Sequence, residues 1–322
     1  MNYRPIILCY HRVTEISGDD QNKLAVTPTN FRKQLEFLQT KRKFVSLHEM
    51  ISDPKVNTVA VTFDDGYKDN FVIAANILVD LEIPTTFFLA TRFIEHAVNY
   101  YTSTFNFVWS NFKNVKQFPT SYSGSIIEEL LVSNNNYFTA LKKLSSLDPE
   151  SLWETSGLLA TIQKDFGYLD ELELPLAVGE VKSLLASDLF SIGPHTATHP
   201  RMSAISLNEA IGDFAESVVK TNEWSESIDL YFPYPFGQKS DFTLQLEQKI
   251  FDTYKFKGLS TFPSALNTRI AGSNTFPRLS VQNWSIEQFR TILNAANYFS
   301  FVPIAATIAL KTSSMIRGFN GM

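Results

Sequence analysis

Thr58-Val59-Ala60-Val61-Thr62-Phe63-Asp64-Asp65-Gly66 is the stretch that decides the fold. Six uncharged residues, mostly β-branched, small or aromatic, read as a buried strand, and two carboxylates and a glycine close it. Gly66 lets the chain turn tightly away from the strand end. Six further segments read the same way: Ile6 to Tyr10, Thr85 to Ala90, Phe190 to Ile192, Leu230 to Phe232, Gly258 to Thr261 and Phe276 to Val281. Helical patterns lie between them, at Asn30 to Lys41, Asp69 to Leu81, Leu207 to Trp224, Phe242 to Phe251 and Ile286 to Ala296, with Thr29, Ser206 and Ser285 as expected N-caps. This alternation predicts a mainly parallel α/β sheet, open or closed into a barrel, with chemistry at the carboxyl ends of the strands.

The alternation breaks between residues 99 and 185. Runs such as Ile126 to Val132, Phe138 to Leu147 and Glu154 to Phe166 predict a mostly helical insertion within one domain spanning residues 1–322. The chain is expected to rejoin the scaffold near Val181.

Asp64 and Asp65 stand where neighbouring side chains point in different directions, so one carboxylate can hold a cation while the other addresses a water. An acidic turn closing a strand is, by itself, an ordinary feature. A second run gives it meaning: His195-Thr196-Ala197-Thr198-His199 follows another strand end and contains two of the five histidines. Two imidazoles and one carboxylate with an open position form the donor set of a hydrolytic metal site. Gly193-Pro194 before the run and Pro200 after it favour a rigid loop entering a helix. A third run, Tyr231-Phe232-Pro233-Tyr234-Pro235-Phe236-Gly237, is a stiff loop that can aim a backbone N–H at a developing oxyanion.

Composition narrows the partners. The chain carries 28 basic and 33 acidic residues and no basic block, which argues against nucleic acid. Cys9 is the only cysteine, so no internal disulfide forms and a reducing compartment fits. The run Ile6 to Tyr10 is too short for a signal-peptide core, so a cytoplasmic location is expected. No charge falls between Arg290 and Lys311, but Asn294, Asn297, Ser300 and Pro303 interrupt the stretch and its apolar density is high only from Tyr298 to Leu310. A packed C-terminal helix pair is the expectation, with peripheral membrane contact left open. Oligomeric state is not legible.

The three runs, Thr62 to Gly66, His195 to His199 and Phe232 to Gly237, resemble the first three motifs of the polysaccharide deacetylase family (carbohydrate esterase family 4, NodB-like). The resemblance implies a distorted (β/α)7 barrel, in agreement with the seven strands. It also implies Asp65, His195 and His199 as metal ligands, Asp64 as general base, and the Phe236 N–H as an oxyanion donor. The sequence departs from the family in three places. An arginine that braces the catalytic aspartate in many members is replaced by Pro233, and Arg278, at the seventh strand, is the expected substitute. The usual third-motif tyrosine is Phe236. No histidine follows His199, so the late general acid is missing; His11, ending the first strand at the same rim, is the expected replacement, as in members resembling poly-N-acetylglucosamine deacetylases. His48 and His96 are expected to be non-catalytic. Trp284 and Tyr10 are read as core residues rather than sugar platforms.

The expected function is metal-dependent hydrolysis of the N-acetyl group of an amino sugar, in a nucleotide-linked, lipid-linked or oligosaccharide intermediate of surface polysaccharide synthesis. Zinc is the expected ion, though the donor set also suits cobalt, nickel or iron. The rival readings are an amidase or deformylase acting on a small non-sugar amide, and a catalytically silent sugar-binding barrel.

Overall fold

The computed structural model describes residues 3–16, 21–113, 118–168, 170–261 and 273–298, with side chains to residue 294. The segments expected from sequence form β1 Ile6–Tyr10, β2 Thr58–Phe63, β3 Thr85–Leu89, β4 Phe190–Pro194, β5 Tyr231–Pro233 and β6 Lys257–Ser260. The seventh is split at Arg278 into β7 Thr275–Pro277 and β8 Leu279–Ser280.

All pairings among these strands are parallel. One sheet runs β8-β1-β2-β3-β4 and the other β7-β6-β5. Because β7 and β8 lie on one path, they join the two sheets. Between β4 and β5 no ladder forms; the amide of Asp229, just before β5, donates to Ile192 O at 3.2 Å across the gap. The architecture is thus a seven-strand parallel α/β barrel distorted at that seam.

Strand alternation sorts the residues into an outer and an inner set. Ile6, Leu8, Tyr10, Val59, Val61 and Phe63 pack outward with Phe31, Leu35 and Leu38 of the helix Pro28–Gln39. Ile7, Ala60, Phe88 and Leu259 pack on the opposite side, with Leu47 and Met50 of the helix Leu47–Ser52. The same parity carries Cys9, paired with Thr62, toward the interior, and Asp64 follows. The barrel interior is therefore apolar below and polar above.

The other helices fall close to expectation: Leu207–Trp224, Leu244–Tyr254 and Ile286–Tyr298. Ser206 caps the first, its hydroxyl accepting from the amide of Glu209 and its own amide donating to the Glu209 carboxylate. Thr29 is not a cap. The first helix starts earlier, at Pro28, because proline suits the first helical position, and Thr27 accepts from the amide of Asn30. The expected helix from Asp69 opens as a π-turn over Asn70–Ala74 before continuing as Ala75–Asp80.

Between β3 and β4 lie the helices Tyr101–Phe112, Ile126–Ser133, Tyr137–Leu144 and Pro149–Asp165. Their buried residues, among them Phe105, Ile127, Leu141 and Leu159, share a core with Tyr67, Ala90 and Phe93. The helix Val178–Leu184 leads back to β4. Tyr10 is fully buried and Trp284 packs against the main core, so both are core residues as read. His48 lies in the helix Leu47–Ser52 beside Tyr231. No helix among the described residues is long and apolar enough to cross a membrane. The rest of the uncharged stretch, from residue 299 on, lies outside the described residues.

Gly193 in β4 pairs with Phe88 in β3, and a Cβ there would lie 2.6 Å from the Phe88 ring and 3.4 Å from the carbonyl of Tyr231. The seam closes around this missing side chain. Gly193→Ala is expected to lower stability by about 1–3 kcal/mol, the usual effect of overpacking, read as a fall in the urea midpoint at unchanged slope.

Candidate active site

The turn after β2 separates the two carboxylates. Asp64 keeps the inward direction of its strand, its amide donating to Tyr10 O at 3.0 Å. Asp65 adopts a left-handed conformation, φ 73°, followed by Gly66 at 90°. Its carbonyl accepts from the amide of Ala90 at 3.0 Å and from the Tyr100 hydroxyl at 2.7 Å. The side chain of Asp65 thereby swings away from Asp64 and toward the histidine loop.

That loop is compact and non-helical; the helix it was expected to enter begins only at Leu207. The first amides of the helix Thr91–His96 hold it, Thr91 donating to Thr196 O and Arg92 to Ala197 O, both at 3.1 Å. Asp213, buried on the helix Leu207–Trp224, accepts from the Thr198 hydroxyl at 2.9 Å and from the amides of Ala197 and Thr198. Burial pushes the Asp213 carboxyl up to about 6, against the pull of those donors from Thr198. Thr196 and His199 have φ of 64° and 59°. With Asp65 and Phe236, they make four left-handed non-glycine residues gathered at one place, each at roughly 1–3 kcal/mol of backbone strain.

The imidazoles are oriented by their far nitrogens. His195 Nδ1 lies 2.8 Å from the carbonyl of Pro233, which can only accept, so that nitrogen carries the proton. The Tyr101 hydroxyl donates to His199 O at 2.7 Å, which leaves its oxygen lone pair to receive His199 Nδ1–H at 3.4 Å. Burial holds the His199 ring below the usual histidine pKa, outweighing Asp65, so the ring is kept neutral. Both Nε2 lone pairs then face Asp65 Oδ1, at 3.5 Å from His195 and 3.3 Å from His199. That oxygen is buried and has no hydrogen-bond partner among the described residues. Two lone pairs and a carboxylate oxygen converge with no proton between them, which is the donor set of a divalent cation and not of a self-sufficient hydrogen-bond network. The residues present therefore fit a metal.

Asp64 is held from the opposite strand end. Arg278, fully buried at the break between β7 and β8, binds it with two parallel bonds, Nη1 to Oδ1 at 2.7 Å and Nη2 to Oδ2 at 2.6 Å. Nη1 also donates to the Thr62 hydroxyl, and Cys9 Sγ lies 3.4 Å from Asp64 Oδ2. Burial pushes the Asp64 carboxyl up, but the Arg278 guanidinium, His195 and His11 together outweigh burial and hold the group below the usual range. Arg278 thus braces Asp64 through both of its oxygens.

His11 follows β1 at the same rim. Its carbonyl accepts from Asn70 Nδ2 at 2.8 Å, so the π-turn secures its backbone. Its ring, Cys9 Sγ and an Asp64 oxygen all lie within 4.8 Å of one another. Phe236, φ 62°, stands across the cavity, its ring under the Arg201 guanidinium at 4.2 Å and 5.2 Å from the His199 ring. Its carbonyl accepts from the Thr261 hydroxyl, while its N–H donates to no group among the described residues. All seven site residues expected from sequence thus lie at one barrel mouth, and six of them, together with Arg201 and Phe138, line a cavity of about 440 Å3 over Arg278. Sequence reading missed Asp213, Tyr100 and Tyr101. A signal for Asp213 was present, an acid on the buried face of an amphipathic helix with Ala210, Phe214 and Ser217.

The sequence profile of the polysaccharide deacetylase family matches residues 52–129, which include Asp64 and Asp65. The structure is similar to that of IcaB from Ammonifex degensii, at 18% identity over 92% of this chain and 97% of that one, with a TM-score of 0.57. Residues 52–129 thus carry the sequence signature of that family, and the chain shares the fold of that solved structure. It is also similar to BC0361, a polysaccharide deacetylase from Bacillus cereus (18% identity, 91% of this chain, 69% of that one, TM-score 0.56), and to the Streptococcus pyogenes deacetylase PplD (17%, 88%, 94%, 0.54). At these identities the likeness establishes the fold. No curated protein matches the chain along its sequence.

Arg278→Met leaves Asp64 buried without its counter-charge. The expected loss is about 3–5 kcal/mol, read by urea denaturation, and much of it should return in the Arg278→Met/Asp64→Leu double variant, which removes the stranded charge.

Proposed function

We propose that the chain hydrolyses the N-acetyl group of an amino sugar, using a divalent cation, zinc by expectation, held by Asp65, His195 and His199. One observation carries this reading. A three-donor cation site stands beside a second carboxylate, Asp64, that is excluded from it and fixed by Arg278. A binding protein has no use for the second carboxylate, so its separate support favours catalysis over a silent barrel.

A bound cation would supply Lewis acidity toward the acyl oxygen and acidity to the attacking water. Asp64 takes the proton that this water loses. Arg278 occupies one lone pair on each of its oxygens and Cys9 Sγ approaches Oδ2, which leaves the second lone pair of Oδ1 to receive that proton. The Phe236 N–H, which has no acceptor among the described residues, donates to the oxygen on which negative charge develops. His11 hands a proton to the amine nitrogen as its bond to the acyl carbon breaks, giving acetate and a free amine. The proton held by Asp64 then returns to His11 through solvent, which restores both groups.

The deacetylase PplD, to which the chain is similar, is described in complex with acetate, the product this chemistry predicts. The amide-to-acetate reading is also supported by the family match.

Acetate release from N-acetylglucosamine oligomers tests the proposal. Asp64→Asn, which keeps the shape of the base and removes its basicity, should lower kcat by ~10²–10⁴ while bound metal, counted by atomic emission, stays unchanged. Full activity of Asp64→Asn overturns the assignment.

A further inference from the structure

His11 differs from the other two histidines of the barrel mouth in what sets its ring. His195 and His199 are turned by contacts at Nδ1, with Pro233 O and the Tyr101 hydroxyl. The His11 ring lines the same cavity, and no hydrogen bond among the described residues orients it. It reaches the reacting atoms only from where the main chain puts it.

That main chain lies in a gap. Tyr10 pairs with Phe63 inside the barrel and Arg12 with Ala25 in a separate two-stranded ladder, and His11 falls between the two. Its carbonyl is held by a side chain, Asn70, whose Nδ2 donates to His11 O at 2.8 Å. The other hydrogen of the same amide goes to Asp69 Oδ1, also at 2.8 Å. Asp69 in turn accepts from the Val13 amide at 3.2 Å and from Arg12 Nε at 3.0 Å. His11, Arg12 and Val13 are thus each bonded to the Asp69–Asn70 pair.

We propose that Asn70 is a positioning residue for proton delivery, fixing the main chain of His11 and thereby the ring that protonates the departing amine. This rests on the deacetylase reading above and adds a residue to its last step.

The state of Asn70 itself supports the assignment. The residue is buried, and its Oδ1 has no hydrogen-bond partner among the described residues. Turning the amide over would set that oxygen against His11 O and Asp69 Oδ1, both acceptors, so the orientation is fixed. A buried oxygen left open costs stability and calls for a reason other than stability. The backbone is irregular at the same place: the Ala75 amide donates to Asn70 O five residues back, a π-turn, a departure from α-geometry that is frequent at functional sites. The loop carrying Asn70 is also braced from behind. The Lys68 amide donates to Leu174 O at 2.8 Å, the Leu176 amide to Gly66 O at 2.9 Å, and Arg12 Nη1 to Glu173 at 2.8 Å. Asn70 therefore works from a rigid support.

The experiment uses two substrates that differ in their need for an acid. An amine leaves an acyl carbon only with a proton, whereas 4-nitrophenolate leaves 4-nitrophenyl acetate unaided. In zinc-loaded Asn70→Ala, kcat for acetate release from N-acetylglucosamine oligomers should fall by ~10²-fold, the cost of a displacement of about 1 Å. KM and zinc-dependent hydrolysis of 4-nitrophenyl acetate should stay near their wild-type values. His11→Ala should show the same split between substrates, with its amide kcat lowered by ~10²–10⁴. Adding Asn70→Ala to His11→Ala should lower it no further, since residues that act as one unit are not additive. Asn70→Leu, which fills the space of the amide, replaces Asn70→Ala if the latter does not fold. Full amide turnover in the Asn70 variants or in His11→Ala overturns the inference. So do equal losses on amide and ester, or a double variant slower than His11→Ala, and acetate release by the wild type then leaves the deacetylase reading standing. A wild type that cleaves the ester but releases no acetate from the oligomers sinks the deacetylase reading, and the inference with it.

Discussion

A single buried oxygen, Oδ1 of Asp65, organises this structure. It faces two imidazole nitrogens whose protons lie on the far side of each ring, committed to Pro233 O and directed at the Tyr101 hydroxyl. No donor among the described residues bonds to it. A buried carboxylate oxygen with nothing bound to it is strongly disfavoured, and the arrangement fits a cation. The four left-handed residues, the Asp213 clamp on the histidine loop and the tyrosines beneath Asp65 are the supports that keep three repelling electron-rich atoms together.

The neighbouring carboxylate obeys a different constraint. Strand parity sends Asp64 into the barrel, where solvent cannot stabilise its charge, and Arg278 supplies the compensation from the last strand. The arginine sits at the break between two short pairings, so its side chain can enter the interior without displacing a ladder partner. One dipeptide thus carries two carboxylates with two environments, because a φ of 73° at Asp65 turns the second away from the first. Separation of this kind is what allows one to act as ligand and the other as base.

Much of this was legible in the chain because the signals were local. All seven strands announce themselves as short apolar runs, and the carboxylates and histidines fall directly after two of them. Arg278 was reachable because its strand ends at the same rim as Asp64. The helix Tyr101–Phe112 was not legible: Tyr-Thr-Ser-Thr-Phe-Asn-Phe is rich in aromatic and β-branched residues that favour strands, and burial of Tyr101, Phe105, Val108 and Trp109 on one face overrides that preference. The π-turn at Asn70–Ala74 was hidden for another reason. It serves a tertiary bond, Asn70 to His11 O, that no local pattern encodes. The tyrosines under the site escaped notice because they act through hydroxyl groups brought in by that same unread helix.

Anomalous diffraction at the zinc absorption edge, from crystals of the protein grown with zinc, addresses the central claim most directly. The account predicts one strong peak bonded jointly to Asp65, His195 and His199, with Asp64 unbonded and still on Arg278. A protein that takes up no ion there, or one whose ion is held by Asp64 in place of Asp65, would contradict it.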